Sequence, residues 1–257
     1  MTTKQTAKNQ PPSPRKNPAS LRQQTFEEHL QELYRRLVIV ALVFVAACVV
    51  GYALREQLQA FLLHPLNEQS LVYTSPAGGL NFVIKICLLF GFLVALPLLI
   101  YQILAFIKPA HHAISRRLLY TTLLLSSLLA FMGVAFAYYV ILPASLNFLE
   151  QFATESIQSL ITTDEYISFV LLYICGLAAI FQLPLVMSLA ARITDVSVRS
   201  LFKASGYFIL GSFIFGAIIT PTPDPINQSL IAGPTILLYF LGVFVVYIQS
   251  RKRVARH

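Results

Sequence analysis

Six long apolar segments govern what this chain can become. They fall near residues 37–54, 83–107, 118–142, 166–191, 204–220 and 227–249. The hydrocarbon core of a bilayer is about 30 Å thick, and about 20 apolar residues in a helix cross it. Hydrocarbon offers no water to the peptide groups, so each segment must satisfy its own backbone as an α-helix. Composition agrees: 56% of the 257 residues are hydrophobic and 12% are charged, against about 25% charged in a soluble domain. So few charges cannot cover a water-facing surface of this size. The expected fold is all-α, a polytopic membrane protein with six transmembrane helices.

The basic residues fix how six spans would thread. Of 19 lysines and arginines, 17 fall before the first span, in the second and fourth connections, or after the sixth span. These four regions share one side. Only Arg55 and Lys85 lie on the other, which instead carries Glu56, Glu68, Glu150, Glu155, Asp164, Glu165 and Asp224. Positive connections stay in the cytoplasm, so both termini are expected there. The net charge of +8 then faces an anionic lipid leaflet rather than nucleic acid.

Residues 1–24 hold four prolines and no acid, and cannot bury enough apolar surface to order themselves. They read as a disordered basic tail. They lack the apolar stretch of a secretory signal and the amphipathic pattern of a transit peptide. Thr25-x-x-Glu28 has the form of a capping box. It would open an amphipathic helix over 26–36, lying at the membrane surface before running into the first span. A six-helix domain over 25–249 follows, then a basic cytoplasmic tail over 250–257. The connections read as short loops, and no repeat is visible.

Pro97 and Pro184 interrupt the second and fourth spans. Each removes a backbone hydrogen bond and is expected to kink its helix, which would leave the bundle concave; the alternative is that they shape packing only. The fifth segment, 204–220, gives roughly 25 Å of helix, short enough to thin the bilayer locally. Cys48, Cys87 and Cys175 sit inside apolar runs and read as small buried hydrophobes, with neither disulfide nor metal. No cofactor is expected. GxxxxGK[ST], HExxH and GxSxG are all absent, so an enzyme is not expected either.

Residues 28–37 read Glu-His-Leu-Gln-Glu-Leu-Tyr-Arg-Arg-Leu, close to the form HLxELRxRL. Thr74-Ser75-Pro76 precedes the second span. Pro97-x-x-x-Tyr101-Gln102 leads to Phe106-Ile107-x-Pro109-Ala110 and Arg116-Arg117. Ala135-Phe136-Ala137-Tyr138 and Pro143 follow, then Tyr166-Ile167-Ser168-Phe169 and Pro184. Thr220-Pro221-x-Pro223-Asp224, Gln228 and Pro234 close the series. In this order and spacing, over about residues 25–248, the chain resembles the TatC family. The resemblance implies six helices in a curved, glove-like arrangement in the cell inner membrane. It implies a signal-peptide receptor and core subunit of the twin-arginine translocase. Such a subunit binds twin-arginine signal peptides with TatB, forms oligomers of TatB–TatC units, and recruits TatA to export folded proteins on the proton-motive force. It also implies a signal-binding set of His29, Glu32, Arg36, Phe106, Pro109, Arg116 and Arg117. Pro65, Pro97, Tyr101, Gln102, Pro143, Gln182, Pro184, Asp224 and Gln228 stand at structural or motif positions.

The chemistry of that set starts from arginine, which pairs bidentately with carboxylates. Glu32 lies about 7–8 Å along the helix before the first span, at headgroup depth. Two unit charges 4 Å apart attract by about 4 kcal/mol at an effective dielectric of 20, but a wet pair nets about 0.2–1 kcal/mol. The carboxylate would therefore give specificity, and burial of the signal's apolar segment most of the affinity. Without the resemblance, Glu32 and Arg36 are an i,i+4 pair worth about 0.2–0.5 kcal/mol. Likewise Phe106 is an interfacial aromatic, Asp224 a turn residue, and Lys85 a snorkelling cation.

Four positions depart from the family pattern. Tyr34 replaces an arginine, Ser115 a glutamate, Gly78 an acidic residue, and Gln182 a buried glutamate. Gln182 cannot titrate, and an interhelical hydrogen bond is its favoured reading. The departures leave open a TatC-like scaffold with weakened arginine-pair recognition. A small secondary transporter is the other alternative; it predicts ionisable residues at mid-membrane.

Overall fold

The first helix, α1, spans Pro18–Ala53 without a break. The computed structural model describes residues 18–66, 71–108, 114–151, 162–194, 196–220 and 224–254. Two expectations change here. Thr25 lies inside α1 rather than at its start, and residues 18–24 are helical rather than disordered. Pro18 at the helix start has its missing N–H among the groups that need no partner, and neither glycine nor proline follows before Gly51. Residues 26–36 run directly into the first span, as expected. The expected tail over 1–17 and the last three residues lie outside the described residues.

Eight helices follow: α2 (Arg55–Leu63), α3 (Gly78–Ile107), α4 (Arg116–Phe136), α5 (Leu142–Glu150), α6 (Thr163–Ile180), α7 (Leu183–Ile193), α8 (Val198–Ile219) and α9 (Pro225–Val254). α4 and α5 form one span through a π-helical turn, Ala137–Ile141. Pro143 cannot donate to the carbonyl one turn back, and the wider turn absorbs the mismatch. α6 and α7 form another span, broken at Phe181–Gln182 just before Pro184. At Pro97, by contrast, α3 stays one helix. Six segments are long and apolar enough to cross a membrane: Leu30–Ala53, Gly78–Ile107, Arg116–Leu149, Thr163–Ile193, Val198–Ile219 and Pro225–Arg251.

These helices outrun the apolar segments because polar caps start them early. The Ser115, Thr162 and Ser197 hydroxyls accept from the amides of Leu118, Glu165 and Ser200 at 3.2, 3.3 and 3.1 Å. Each satisfies one of the free N–H groups of a first turn. The fifth span is affected most. α8 has 22 residues, about 33 Å of helix, so its length alone no longer argues for a thinned bilayer.

The connection after the first span is not a bare loop: it contains α2 and a 3₁₀ turn, His64–Leu66, that holds a half-buried Pro65. The last carbonyls of α2 find partners far along the chain. Tyr138 Oη donates to the Phe61 carbonyl and Tyr166 Oη to that of Leu62, both at 2.7 Å, while the rings of Phe61 and Tyr138 stack.

The fourth span is central and the first peripheral: 56% of its most apolar window is buried, against 11% for the first. The main core joins Phe82 and Ile86 of α3, Ile141, Leu142, and Ile167, Val170, Tyr173 and Leu177 of α6. Where α4 crosses α6, Gly133 is obligatory, because a Cβ there would lie 2.8 Å from the Ala178 Cα. A second, smaller core at the basic end joins Leu104, Ile114, Leu119, Leu185 and Leu189. The three cysteines are free and half-buried, less enclosed than the sequence suggested.

Candidate functional site

α1 carries Glu32 and Arg36 one turn apart, at the end of the bundle where the basic residues gather. Arg36 donates to a single oxygen of Glu32, from Nη2 at 2.6 Å and Nε at 3.1 Å. Its Nη1 donates to Gln102 Oε1 on α3 at 2.9 Å. The second carboxylate oxygen of Glu32 has no partner among the described residues. Gln102 is 9% exposed, whereas the Arg36 and Glu32 side chains remain 23% and 34% exposed. A groove of about 500 Å³ opens beside this pair, lined by Gln31, Glu32, Arg35, Arg36 and Ile39. Glu32 is its one carboxylate among the described residues.

The structure thus brings together three of the residues picked from sequence, Glu32, Arg36 and Gln102. Arg116 and Arg117 stand exposed in the first turn of α4, away from the groove lining. Two cations at a helix N-terminus oppose its dipole, and no acid accompanies them there. Phe106 is half-buried near the end of α3, and Tyr101 packs on the second core. Pro109 lies outside the described residues, as does the side chain of His29.

The remaining motif positions hold helices to one another. Asp224 caps α9: its carboxylate accepts from the Asn227 amide at 2.7 Å and from Asn227 Nδ2 at 3.1 Å, with Pro225 in the favoured first position. Gln228 Nε2 reaches the Phe213 carbonyl of α8 at 2.6 Å. Lys85 does not snorkel. It pairs with Asp164 Oδ1 at 2.6 Å and with Ser168 Oγ at 2.7 Å, tying α3 to α6.

Three departures from the family pattern acquire local reasons. Ser115 is the cap of α4. Gly78 lies under the Tyr73 ring, where a Cβ would come within 2.8 Å of Tyr73 Cδ1, so a larger acidic residue requires that exposed ring to shift. Gln182, 3% exposed, accepts from Ser126 Oγ at 2.8 Å and donates to the Ser126 carbonyl at 3.2 Å. That is the interhelical bond expected of it. Tyr34 is 71% exposed, and nothing in the structure explains its identity.

Residues 28–234 match the sequence model of a family described as Sec-independent protein translocase protein (TatC). The chain is 34% identical over 227 residues to the Sec-independent protein translocase protein TatC of Synechocystis sp., covering 87% of this chain and 88% of that one. It is 32% identical over 232 residues to the chloroplastic TATC protein of Arabidopsis thaliana, over 90% of this chain and 68% of that one. Among solved structures, one of the twin-arginine translocase receptor TatC superimposes with a TM-score of 0.75 at 33% identity, over 86% of this chain and 99% of that one.

Proposed function

This chain belongs to the TatC family of Sec-independent protein translocase proteins, and on that premise we propose that its Glu32 groove receives the arginine pair of a signal peptide. The chain is a multi-pass membrane protein and a translocase receptor subunit. In this reading it lies in the cell inner membrane with both termini in the cytoplasm, a topology supported by 17 of 19 basic residues on one side. It works with TatA and TatB in oligomeric units that export folded proteins on the proton-motive force.

The observation that carries the reading is the half-used carboxylate. Nε and Nη2 of Arg36 meet one oxygen of Glu32, and the other has no partner among the described residues. An incoming guanidinium can take that free oxygen, and its planar fork fits a carboxylate better than an ammonium does. Because the Glu32–Arg36 pair is partly exposed, it is worth about 0.2–1 kcal/mol, weak enough for a ligand to rearrange. Arg116, Arg117, Phe106, Pro109 and His29 belong to the same receiving surface by their positions in the family motif. The test is export of a folded reporter in cells carrying Glu32→Ala or Glu32→Gln. Export is expected to fall about tenfold or more with either; unchanged export overturns the assignment.

A second reading is favoured by the groove itself. Its described residues include one carboxylate but two arginines, Arg35 and Arg36, a poor balance for a dicationic ligand. A scaffold with weakened recognition of arginine pairs would bind twin-arginine and twin-lysine peptides alike, which separates it from the first.

A further inference from the structure

We propose that Gln102 is a positioning residue for the receptor carboxylate, acting through Arg36; this rests on the reading of Glu32 as the arginine-pair acceptor. Arginine carries five N–H donors and no acceptor, so the amide of Gln102 must turn its oxygen toward Arg36. Gln102 comes from α3, which is the main packing partner of α1, and it is buried to 9% exposure. Its oxygen is therefore fixed before any ligand arrives. It holds Nη1 of Arg36 at 2.9 Å, and the guanidinium can then present only its Nε and Nη2 edge to Glu32. Both nitrogens on that edge meet Oε1, at 3.1 and 2.6 Å.

An arginine left to itself forms a fork-to-fork pair that occupies both carboxylate oxygens. Here Gln102 fixes the tilt of the guanidinium, and its Nε–Nη2 edge, which could bridge both oxygens, meets Oε1 with both nitrogens. Oε2 has no partner among the described residues, and Glu32 lines the 500 Å³ groove. Arg36 thus acts as a built-in guanidinium that fills half of the acceptor, and Gln102 stops it from filling the rest. Losing the Gln102 oxygen frees Arg36 to close over Glu32 and compete with the signal arginines. Shape at position 102 matters less than the acceptor, so Gln102→Glu, which keeps an oxygen there, rescues the site, whereas Gln102→Met, of similar size, does not.

The experiment is a double-mutant cycle on the full chain in lipid nanodiscs. The probe is a synthetic peptide bearing two adjacent arginines and an apolar segment, with a twin-lysine peptide as control. Gln102→Met is expected to weaken twin-arginine binding about tenfold and twin-lysine binding much less. In an Arg36→Gln background, the same Gln102→Met change is expected to shift affinity less than twofold, because the competitor is gone. Gln102→Glu is expected to bind at least as tightly as the parent. Equal losses from Gln102→Met in both backgrounds, or no loss in either, overturn the proposal. Gln102→Ala replaces Gln102→Met if the latter does not fold by circular dichroism. Glu32→Gln is measured alongside. If it leaves binding intact, the receptor reading has failed; if it abolishes binding while the cycle shows no coupling, only the positioning role has failed.

Discussion

The two ends of this bundle are built to opposite rules. At the end away from the basic clusters, polar groups are consumed by the fold. Two phenols hold the last carbonyls of α2 at 2.7 Å, Lys85 is taken up by Asp164 and Ser168, and Asp224 closes α9. Thr163 also donates to the Val72 carbonyl, from its backbone N–H at 3.0 Å and its hydroxyl at 3.3 Å. At the basic end, Arg35, Arg116, Arg117, Arg199 and Lys203 remain exposed, and Glu32 uses one oxygen of two. The contrast teaches where stability and recognition are kept apart. Buried polar groups paired within the chain hold shape, whereas partly exposed ion pairs, Lys85–Asp164 as well as Glu32–Arg36, contribute little to stability and can exchange partners.

If that division is real, substitutions in the packed interior should move stability strongly and leave peptide recognition to follow the folded fraction. Gly133→Leu is the severest case. Its side chain would meet the Ala178 Cα at 2.8 Å and the Leu177 carbonyl at 2.9 Å, backbone atoms that cannot step aside. Overpacking of this kind costs about 3 kcal/mol or more, read as a large fall in the unfolding temperature in detergent. A smaller effect is expected for Tyr166→Phe. It removes one hydroxyl and leaves the Leu62 carbonyl without its 2.7 Å partner, a loss of about 1–2 kcal/mol on the same assay. Folded Tyr166→Phe protein should bind a twin-arginine peptide normally. A binding defect larger than its unfolded fraction would break the separation of the two ends.

The sequence carried the outline of this architecture well and its tertiary pairings poorly. Six spans were legible because hydrophobic length is a local property, and the break near Pro184 because a missing N–H is local too. Gln182 was legible because a buried amide in a span must find a partner. Three features escaped for related reasons. A lysine near a span end looks the same whether it snorkels or pairs, and the Lys85 partner, Asp164, lies 79 residues away. α2 ends on carbonyls held by Tyr138 and Tyr166, which no local pattern announces. The capping-box form at Thr25 is spurious because Pro18 starts the helix earlier. At Thr162 the hydroxyl half of the same form is present: the hydroxyl accepts from the Glu165 amide at 3.3 Å and donates to its carboxylate at 2.8 Å. At the site, Glu32, Arg36 and Gln102 were each chosen from family motifs. Their three-way contact, and the oxygen it leaves free, is a matter of how α1 meets α3.

The most direct measurement is equilibrium binding of twin-arginine and twin-lysine peptides to the parent chain and to Glu32→Gln, in nanodiscs at fixed salt. The account predicts a preference for the arginine pair in the parent and its loss in the variant, with residual binding from the apolar segment. Equal affinity for the two peptides in the parent, or a preference that survives Glu32→Gln with Glu27 and Glu28 also neutralised, would contradict it.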